Sequence, residues 1–315
     1  MRVAVTGTSG RLGRAVFAAL AAAPFTGIAG PLAWRRPDYD LDDLDAPARL
    51  IARDRPEVIV HAAAWTDVDG CARDPDLARR RNGEAAARLA EGAAGAGIDL
   101  ILISTNEVFD GRRTDGAGYG PDDRPDPINA YGSSKLAGEL GAAAAFGWID
   151  GRSPGHGPAL AIARTAWLYG PPGNDFPEKI ALAAERARAA GEALRVVADE
   201  TGSPTFTTDL ADAIVELIGS GERFGGIHHI VNGGLATRAG WAQAVLAGLA
   251  IDVPIQEVPG STWARASTPP AWAVLEPTRL PGGEPLRPWT AALADYLPAL
   301  RRQLAARPGT AARVG

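Results

Sequence analysis

A chain of 315 residues with 46% hydrophobic side chains can form two domains, or one large α/β core with an appended lobe. A formal charge of −5 and a pI near 5.5 exclude a general nucleic-acid binder, which meets phosphate with clustered Lys and Arg. Cys71 is the only cysteine, so neither an internal disulfide nor a thiolate metal cage can form, and it reads as a packed, unreactive thiol.

The opening MRVAVTG enters a strand-like apolar run at once, leaving no room for a secretory signal. No uninterrupted apolar span of about 18 to 20 residues follows, so no membrane partner is expected. The expectation is a soluble, cytoplasmic protein whose ligand is a small molecule. In VAVTGTSGRLGRAV, glycines fall at Gly7, Gly10 and Gly13, directly after a strand. A tight turn, a pyrophosphate lying against the backbone and a helix packed close to its strand each require a residue without Cβ. A helix starting near Arg11 would then point free N–H groups at phosphate. Glycines in a loop are more often simple turn formers, but here strand, spacing and helix coincide, which favours a dinucleotide site. The spacing is GxxGxxG rather than GxGxxG.

The second strand should end near Trp34, where such folds choose their cofactor. A carboxylate there holds the ribose 2′-hydroxyl, whereas an arginine accommodates a 2′-phosphate. AWRRPDYDLDD offers Arg35 and Arg36, which lean toward NADPH. NADH is the alternative, since Asp38 or Asp40 could serve a ribose hydroxyl, and a basic surface loop is the plain reading. Further β-branched runs at 58–61 and 100–104 alternate with Ala- and Leu-rich helical stretches, the pattern of parallel strands joined by crossover helices. The fold class expected is α/β, a Rossmann-like doubly wound parallel sheet.

Thr105 falls at the end of the third of these runs, at the carboxyl edge where open α/β sheets bind ligands. Plain strand capping is its bland explanation. In NAYGSSKLAGE, Tyr131 precedes Lys135 by four residues at what reads as a helix start, so phenol and ammonium share one helix face. A surface pair is the bland alternative. A Gly/Pro-rich loop at 150–158 leads to another strand at 160–164, and from about Tyr169 the pattern loosens among many prolines. FTTDLADAIVELIGSG reads as an amphipathic helix ended by glycine. The expected division is an NAD(P)-binding domain over 1–168, with later segments crossing back into it, a mainly substrate-binding lobe over 169–302, and a flexible tail over 303–315.

Taken in order, Gly7/Gly10/Gly13, STNEVFDG, YGSSK, RTAWLYG and TGSPTFTTDLA resemble the dTDP-4-dehydrorhamnose reductase family of the extended short-chain dehydrogenases, over the chain to about Trp289. The glycine turn and Tyr-x-x-x-Lys are shared by the superfamily; VFDG and GSPT are more specific. The resemblance implies NAD(P)H-dependent reduction of the 4-keto group of a nucleotide-linked 6-deoxyhexose, above all dTDP-4-dehydro-L-rhamnose to dTDP-L-rhamnose. The protein must then deliver a proton to the carbonyl oxygen. Tyr131 is the expected donor, with Lys135 as the cation that draws a phenol of pKa about 10 toward neutral pH, and Thr105 hydrogen-bonds the same oxygen.

By resemblance the cofactor is held by Gly7, Gly10, Arg11, Leu12 and Gly13, by Arg35, Asp40 and Leu41, by Ala62, Ala63 and Ala64, and by Tyr131 and Lys135. The substrate meets Thr105, Glu107, Trp167, Ser203 and Thr205, and Asn82 buttresses the cofactor side. A homodimer is compatible with this reading. Two departures bear on the substrate. Thr105-Asn106-Glu107 stands where the family usually has Thr-Asp-Tyr, and TPPAWAVL replaces a segment that often carries an arginine. The alternatives are therefore a 4-ketoreductase for another deoxysugar nucleotide, or a regulatory subunit that keeps the fold without turnover. No metal-ligand set stands out: His228 and His229 are strand neighbours facing opposite sides. Phe206 and Trp241 read as core.

Overall fold

Val3–Thr6 forms strand β1, and all four residues are buried, as expected of a β-branched run covered on both faces. The computed structural model describes residues 1–149, 154, 157–220 and 224–307, and continues through α1 (Arg11–Ala22), β2 (Leu32–Trp34), α2 (Ala46–Asp54) and β3 (Val58–His61). Next come α3 (Val68–Arg73), α4 (Pro75–Ala78), α5 (Ala85–Gly95), β4 (Asp99–Thr105), α6 (Ala130–Ala145) and β5 (Leu160–Thr165). The 150–158 loop lies mostly outside the described residues.

These strands, with β10 (Gly226–His229), build one six-stranded sheet in the order β10-β5-β4-β3-β1-β2, every pair parallel. Helices cover both faces. One core packs α1 and α8 (Thr207–Gly219) on Val3, Val5, Ile101 and Ala161. The other packs α2, α5 and α6 on Ala4, Ile59, Leu100 and Ile162. Alternate residues of each strand thus serve opposite cores, which is why the strands read as continuous apolar runs. After β1 the chain adds β2 on one side and returns to place β3 on the other. The crevice at that reversal, at the carboxyl ends of the strands, is where such sheets bind ligands.

A second unit has its own core, built from α7 (Phe176–Ala190), α9 (Arg238–Leu249) and α10 (Trp289–Ala305) around Tyr169, Trp241 and Tyr296. Its short strands are β6 (Leu168–Tyr169) with β9 (Thr205–Phe206), β7 (Leu194–Val197) with β12 (Ile255–Val258), and β8 (Thr201–Gly202) between β11 (Ala236–Thr237) and β13 (Trp272–Ala273). Two segments of the expected second lobe, α8 and β10, lie with the large sheet instead. Phe206 and Trp241 stack with Tyr169 and Phe176 as core.

The tail expected from 303 onward is corrected at its start. Gln303 and Leu304 are helical, Leu304 packs into the second unit's core, and the Tyr296 hydroxyl donates to Gln303 Oε1 at 3.3 Å. Arg307 then pairs with Glu178 at 2.8 Å. Burial of one helix face outweighs the polar composition of the last turn; residues 308–315 lie outside the described part.

Candidate active site

The β1-to-α1 turn is shaped by what its glycines lack. Gly7 has φ +68°, and a Cβ there would sit 2.8 Å from the Ala63 nitrogen; one on Gly13 would sit 2.2 Å from the Gly7 carbonyl oxygen. The turn, the β3 end and α1 can approach this closely only without side chains. α1 begins after Gly10 with no side-chain cap, so its first N–H groups remain available to an anion. A neighbouring network fixes the opposite wall. The Ala63 N–H donates to Thr6 Oγ1 at 3.0 Å, and the Thr6 hydroxyl is hydrogen-bonded to His61 Nδ1 at 2.9 Å. Burial, with Lys135 nearby, pushes the His61 pKa down to about 3, which keeps the ring neutral.

Beside this turn opens a cavity of about 380 Å³. Gly7, Gly10, Arg35, Asp40, Leu41 and the three alanines Ala62, Ala63 and Ala64, all named above as cofactor-binding candidates, line it. Tyr39, Trp65, Arg36 and Arg81 also line it. Trp65 was legible in principle, because it follows the β3 end at the ligand edge of the sheet; Tyr39 and Arg81 arrive only through the tertiary fold. Asp40 is committed to Arg36 at 2.7 Å, and Arg81 forks onto Asp42 at 2.8 and 2.5 Å. Among the described residues Arg35 has no such carboxylate, and it is exposed at the cavity mouth.

A second cavity, of about 440 Å³, shares Gly10, Ala62 and Ala64 with the first and contains Arg11, Leu12 and Gly13. Thr105, Glu107, Tyr131, Lys135 and Trp167 meet there, from the β4 end, the start of α6 and the β5 end. Arg11 spends its guanidinium on the carbonyls of Gly170 and Gly173, at 3.2 and 2.7 Å, so it ties the 168–173 loop to α1. Two expected substrate residues are not brought in. Ser203 and Thr205 are fully buried, Thr205 donating to the Ser203 carbonyl and Ser203 accepting from the Leu275 N–H. Their hydroxyls brace the β8–β9 turn because no water reaches them, a burial that GSPT does not announce.

The catalytic face is set by the N-terminus of α6. Asn129 caps it, its Oδ1 accepting from the Gly132 N–H at 2.8 Å. Gly132 is required because a Cβ would lie 2.0 Å from the Glu107 carbonyl oxygen. Helix α6 therefore seats Tyr131 against the turn after β4, with Lys135 one helical turn further on. Asn82 grips both backbone groups of Trp65, at 2.8 and 3.0 Å, and donates to Ser134 Oγ, which donates in turn to the Tyr131 carbonyl at 2.7 Å. Asn82 sits in a π-helical stretch, Arg79–Glu84, whose extra residue per turn aims it inward.

Thr105 caps the turn after β4 and lines the second cavity. Its hydroxyl oxygen accepts from the Glu107 N–H at 3.2 Å, and its proton goes to Asn106 Oδ1 at 3.3 Å. The expected tuning of the phenol is corrected. Burial raises the Tyr131 pKa, Glu107 and Cys71 add to the rise, and only the Thr105 hydrogen bond opposes it. The phenol is thus held protonated, the form a proton donor needs. Lys135 is itself pushed down to about 8 by burial, with Glu139 opposing. Below about pH 8 Lys135 is charged; above that value the charge is lost. We therefore expect kcat/KM to fall on the alkaline side with an apparent pKa near 8. A profile flat through pH 9 would show that Lys135 does not set it.

Arg238 was not foreseen. It heads α9, is half-buried, lies 3.6 Å from the Trp167 ring centre and pairs with Glu200 at 3.3 Å while lining the same cavity. No spacing marks it; it arrives from another lobe. Trp167 adopts φ +43° at the β5 end and stacks on Trp241. Among the described residues no group of three His, Cys, Asp or Glu could hold a metal, and no helix is long and apolar enough to cross a membrane.

The sequence profile of the RmlD substrate binding domain matches residues 1–302. A dTDP-4-dehydrorhamnose reductase of Mycolicibacterium smegmatis is 35% identical over 304 residues, 95% of this chain and 86% of that protein. A dTDP-4-keto-6-deoxy-D-glucose reductase of Streptomyces niveus is 35% identical over 300 residues, 94% of this chain and 96% of that protein. The crystal structure of dTDP-4-dehydrorhamnose reductase from Bacillus anthracis in complex with NADP superposes with a TM-score of 0.83 at 28% identity, covering 95% of this chain and 99% of that one. With the profile spanning nearly the whole chain and relatives above 30% identity covering almost all of it, the chain belongs to the RmlD substrate binding domain family, that of the dTDP-4-dehydrorhamnose reductases.

Proposed function

We propose that this chain is an NADPH-dependent oxidoreductase that reduces the 4-keto group of a nucleotide-linked 6-deoxyhexose, dTDP-4-dehydro-L-rhamnose to dTDP-L-rhamnose, in the cytoplasm. The observation that carries the reading is the meeting of Thr105, Tyr131 and Lys135 in a cavity continuous with the glycine-walled one. The backbone of Gly7, Gly10 and Gly13, with no room for a Cβ, fits a dinucleotide pyrophosphate. Arg35 fits a 2′-phosphate, and Ala62 to Ala64 form the wall between. In this reading residues 1–168 with α8 and β10 hold the cofactor and the remainder holds the sugar nucleotide.

When bound, the nicotinamide supplies the hydride. The residues do the rest. Thr105 and Tyr131 hydrogen-bond the ketone oxygen, and Tyr131 gives it a proton as negative charge gathers there. The Lys135 ammonium stabilises the phenolate that remains. Trp167, held by Trp241 and Arg238, offers a flat wall to the sugar.

The experiment is oxidation of NADPH and of NADH by the purified chain with enzymatically generated dTDP-4-dehydro-L-rhamnose. Turnover is expected with NADPH preferred, and absence of turnover with both cofactors would sink the reading. Replacing Arg35 by Ala should raise KM for NADPH by about tenfold, the worth of one charge-assisted hydrogen bond, and leave NADH nearly unchanged. Equal changes for both cofactors would remove Arg35 from the 2′-phosphate site. Glu107, at a position where the family usually has tyrosine, supports a second reading in which dTDP-4-keto-6-deoxy-D-glucose is the better substrate, as the name of the Streptomyces niveus relative suggests. Comparing kcat/KM for the two sugars decides between them.

A further inference from the structure

The catalytic cavity holds one ionisable group that ketone reduction does not use. Glu107 follows Thr105 by two residues and lines the cavity with Thr105, Tyr131 and Lys135. Its carboxylate is held at one oxygen only. Oε2 accepts from Asn129 Nδ2 at 2.8 Å, and Asn129 is anchored by its cap to Gly132 and by a second donation to the Thr268 carbonyl at 3.2 Å. Among the described residues Oε1 has no hydrogen-bond partner, and it is not sealed off from solvent. The charged and titratable groups facing Glu107 are Tyr131 of α6, Cys71 of α3, Arg238 of α9 and Glu200 before β8. Burial raises its pKa, and the Asn129 hydrogen bond and Arg238 oppose the rise. That environment makes the carboxylate a stronger base than a solvated one.

A ketone whose oxygen is hydrogen-bonded by a phenol and a hydroxyl has acidified C–H bonds on the carbon next to it. A fixed carboxylate with one free oxygen, in the same cavity as those two donors, is the complement that enolisation requires. We propose that Glu107 gives this cavity a second activity, exchange of the α-proton of a bound nucleotide-linked 4-keto sugar through its enol; the proposal rests on the site being a keto-sugar site, as argued above. The Glu107 carboxylate takes the proton from the α-carbon, the C–H electron pair becomes the C=C bond, and the carbonyl π pair moves to oxygen, which receives the Tyr131 proton. Reversal returns a proton from the carboxyl group to carbon and the oxygen's proton to the phenolate. Nothing is oxidised or reduced, so the exchange needs no nicotinamide.

The test uses the full chain in D2O with dTDP-4-keto-6-deoxy-D-glucose and no added nicotinamide, read by mass spectrometry and proton NMR. One deuteron should enter the carbon adjacent to the ketone at about 10²-fold or more above the buffer rate. Glu107→Gln should return the rate to that of buffer. Glu107→Asp, which keeps the carboxylate on a shorter arm, should retain slower but measurable exchange and shows that the cavity tolerates substitution. If the wild type reduces the sugar with NADPH yet exchanges no faster than buffer, the enolisation is overturned and the reductase reading stands. Exchange by Glu107→Gln at the wild-type rate overturns Glu107 as the base. A wild type that neither exchanges nor reduces overturns both.

Discussion

Tyr131→Phe should lower kcat for ketone reduction by about 10² to 10⁴-fold, the usual contribution of a positioned general acid. Phe fills the same space, and α6 keeps its Asn129 cap and the Gly132 approach to the Glu107 carbonyl, so the fold should survive. What is lost is the hydroxyl that burial keeps protonated. The loss should appear in kcat rather than in NADPH affinity, since an interaction made only as charge develops on the ketone oxygen lowers turnover without weakening ground-state binding. Turnover and an NADPH titration measured on the same preparation separate the two. A loss under about tenfold in kcat would mean another group or a water delivers the proton.

The largest stability effect should come from the ion pair beneath the site. Arg164 of β5 forks onto Glu139 of α6, Nε to Oε1 at 3.1 Å and Nη2 to Oε2 at 2.7 Å, with both side chains almost wholly buried. The guanidinium also lies 5.2 Å from the Phe109 ring centre, and its Nη1 has no protein partner among the described residues. Glu139→Ala would strand that cation in a dry interior, at a cost of about 3–5 kcal/mol; replacing both residues by apolar ones of similar volume should cost far less, because the pair's attraction mainly offsets its own desolvation. Urea unfolding of Glu139→Leu, of Arg164→Met and of the double Glu139→Leu/Arg164→Met variant gives the coupling directly. Single variants within about 1 kcal/mol of wild type would show that water reaches the pair. Glu139 lies one turn beyond Lys135, so its loss should also depress the lysine further and shift the alkaline limb of the rate profile to lower pH.

Much of this was legible before any fold was known. Val3–Thr6, Val58–His61, Asp99–Thr105 and Leu160–Thr165 declare themselves because a strand buried on both faces needs an unbroken apolar run. The glycine turn and the Tyr131/Lys135 pair are equally local: one depends on residues without Cβ within a few positions, the other on helical spacing. The resemblance supplied Thr105, Ala62 to Ala64 and the reaction class.

The sequence by itself therefore determined the α/β class and the parallel sheet, through the burial pattern of each strand, and the glycine turn and the Tyr131/Lys135 spacing, which rest on near neighbours in the chain. Only the tertiary structure decided what surrounds them. Arg238 and Trp167 meet 71 residues apart, Arg81 reaches Asp42 from a separate helical stretch, and Ser203 and Thr205 turn out to be braces rather than ligands. It also decided the protonation states. Whether Lys135 tunes Tyr131, or burial overrides it, depends on how much water each group loses, and desolvation is a property of the packed interior that no spacing along the chain records.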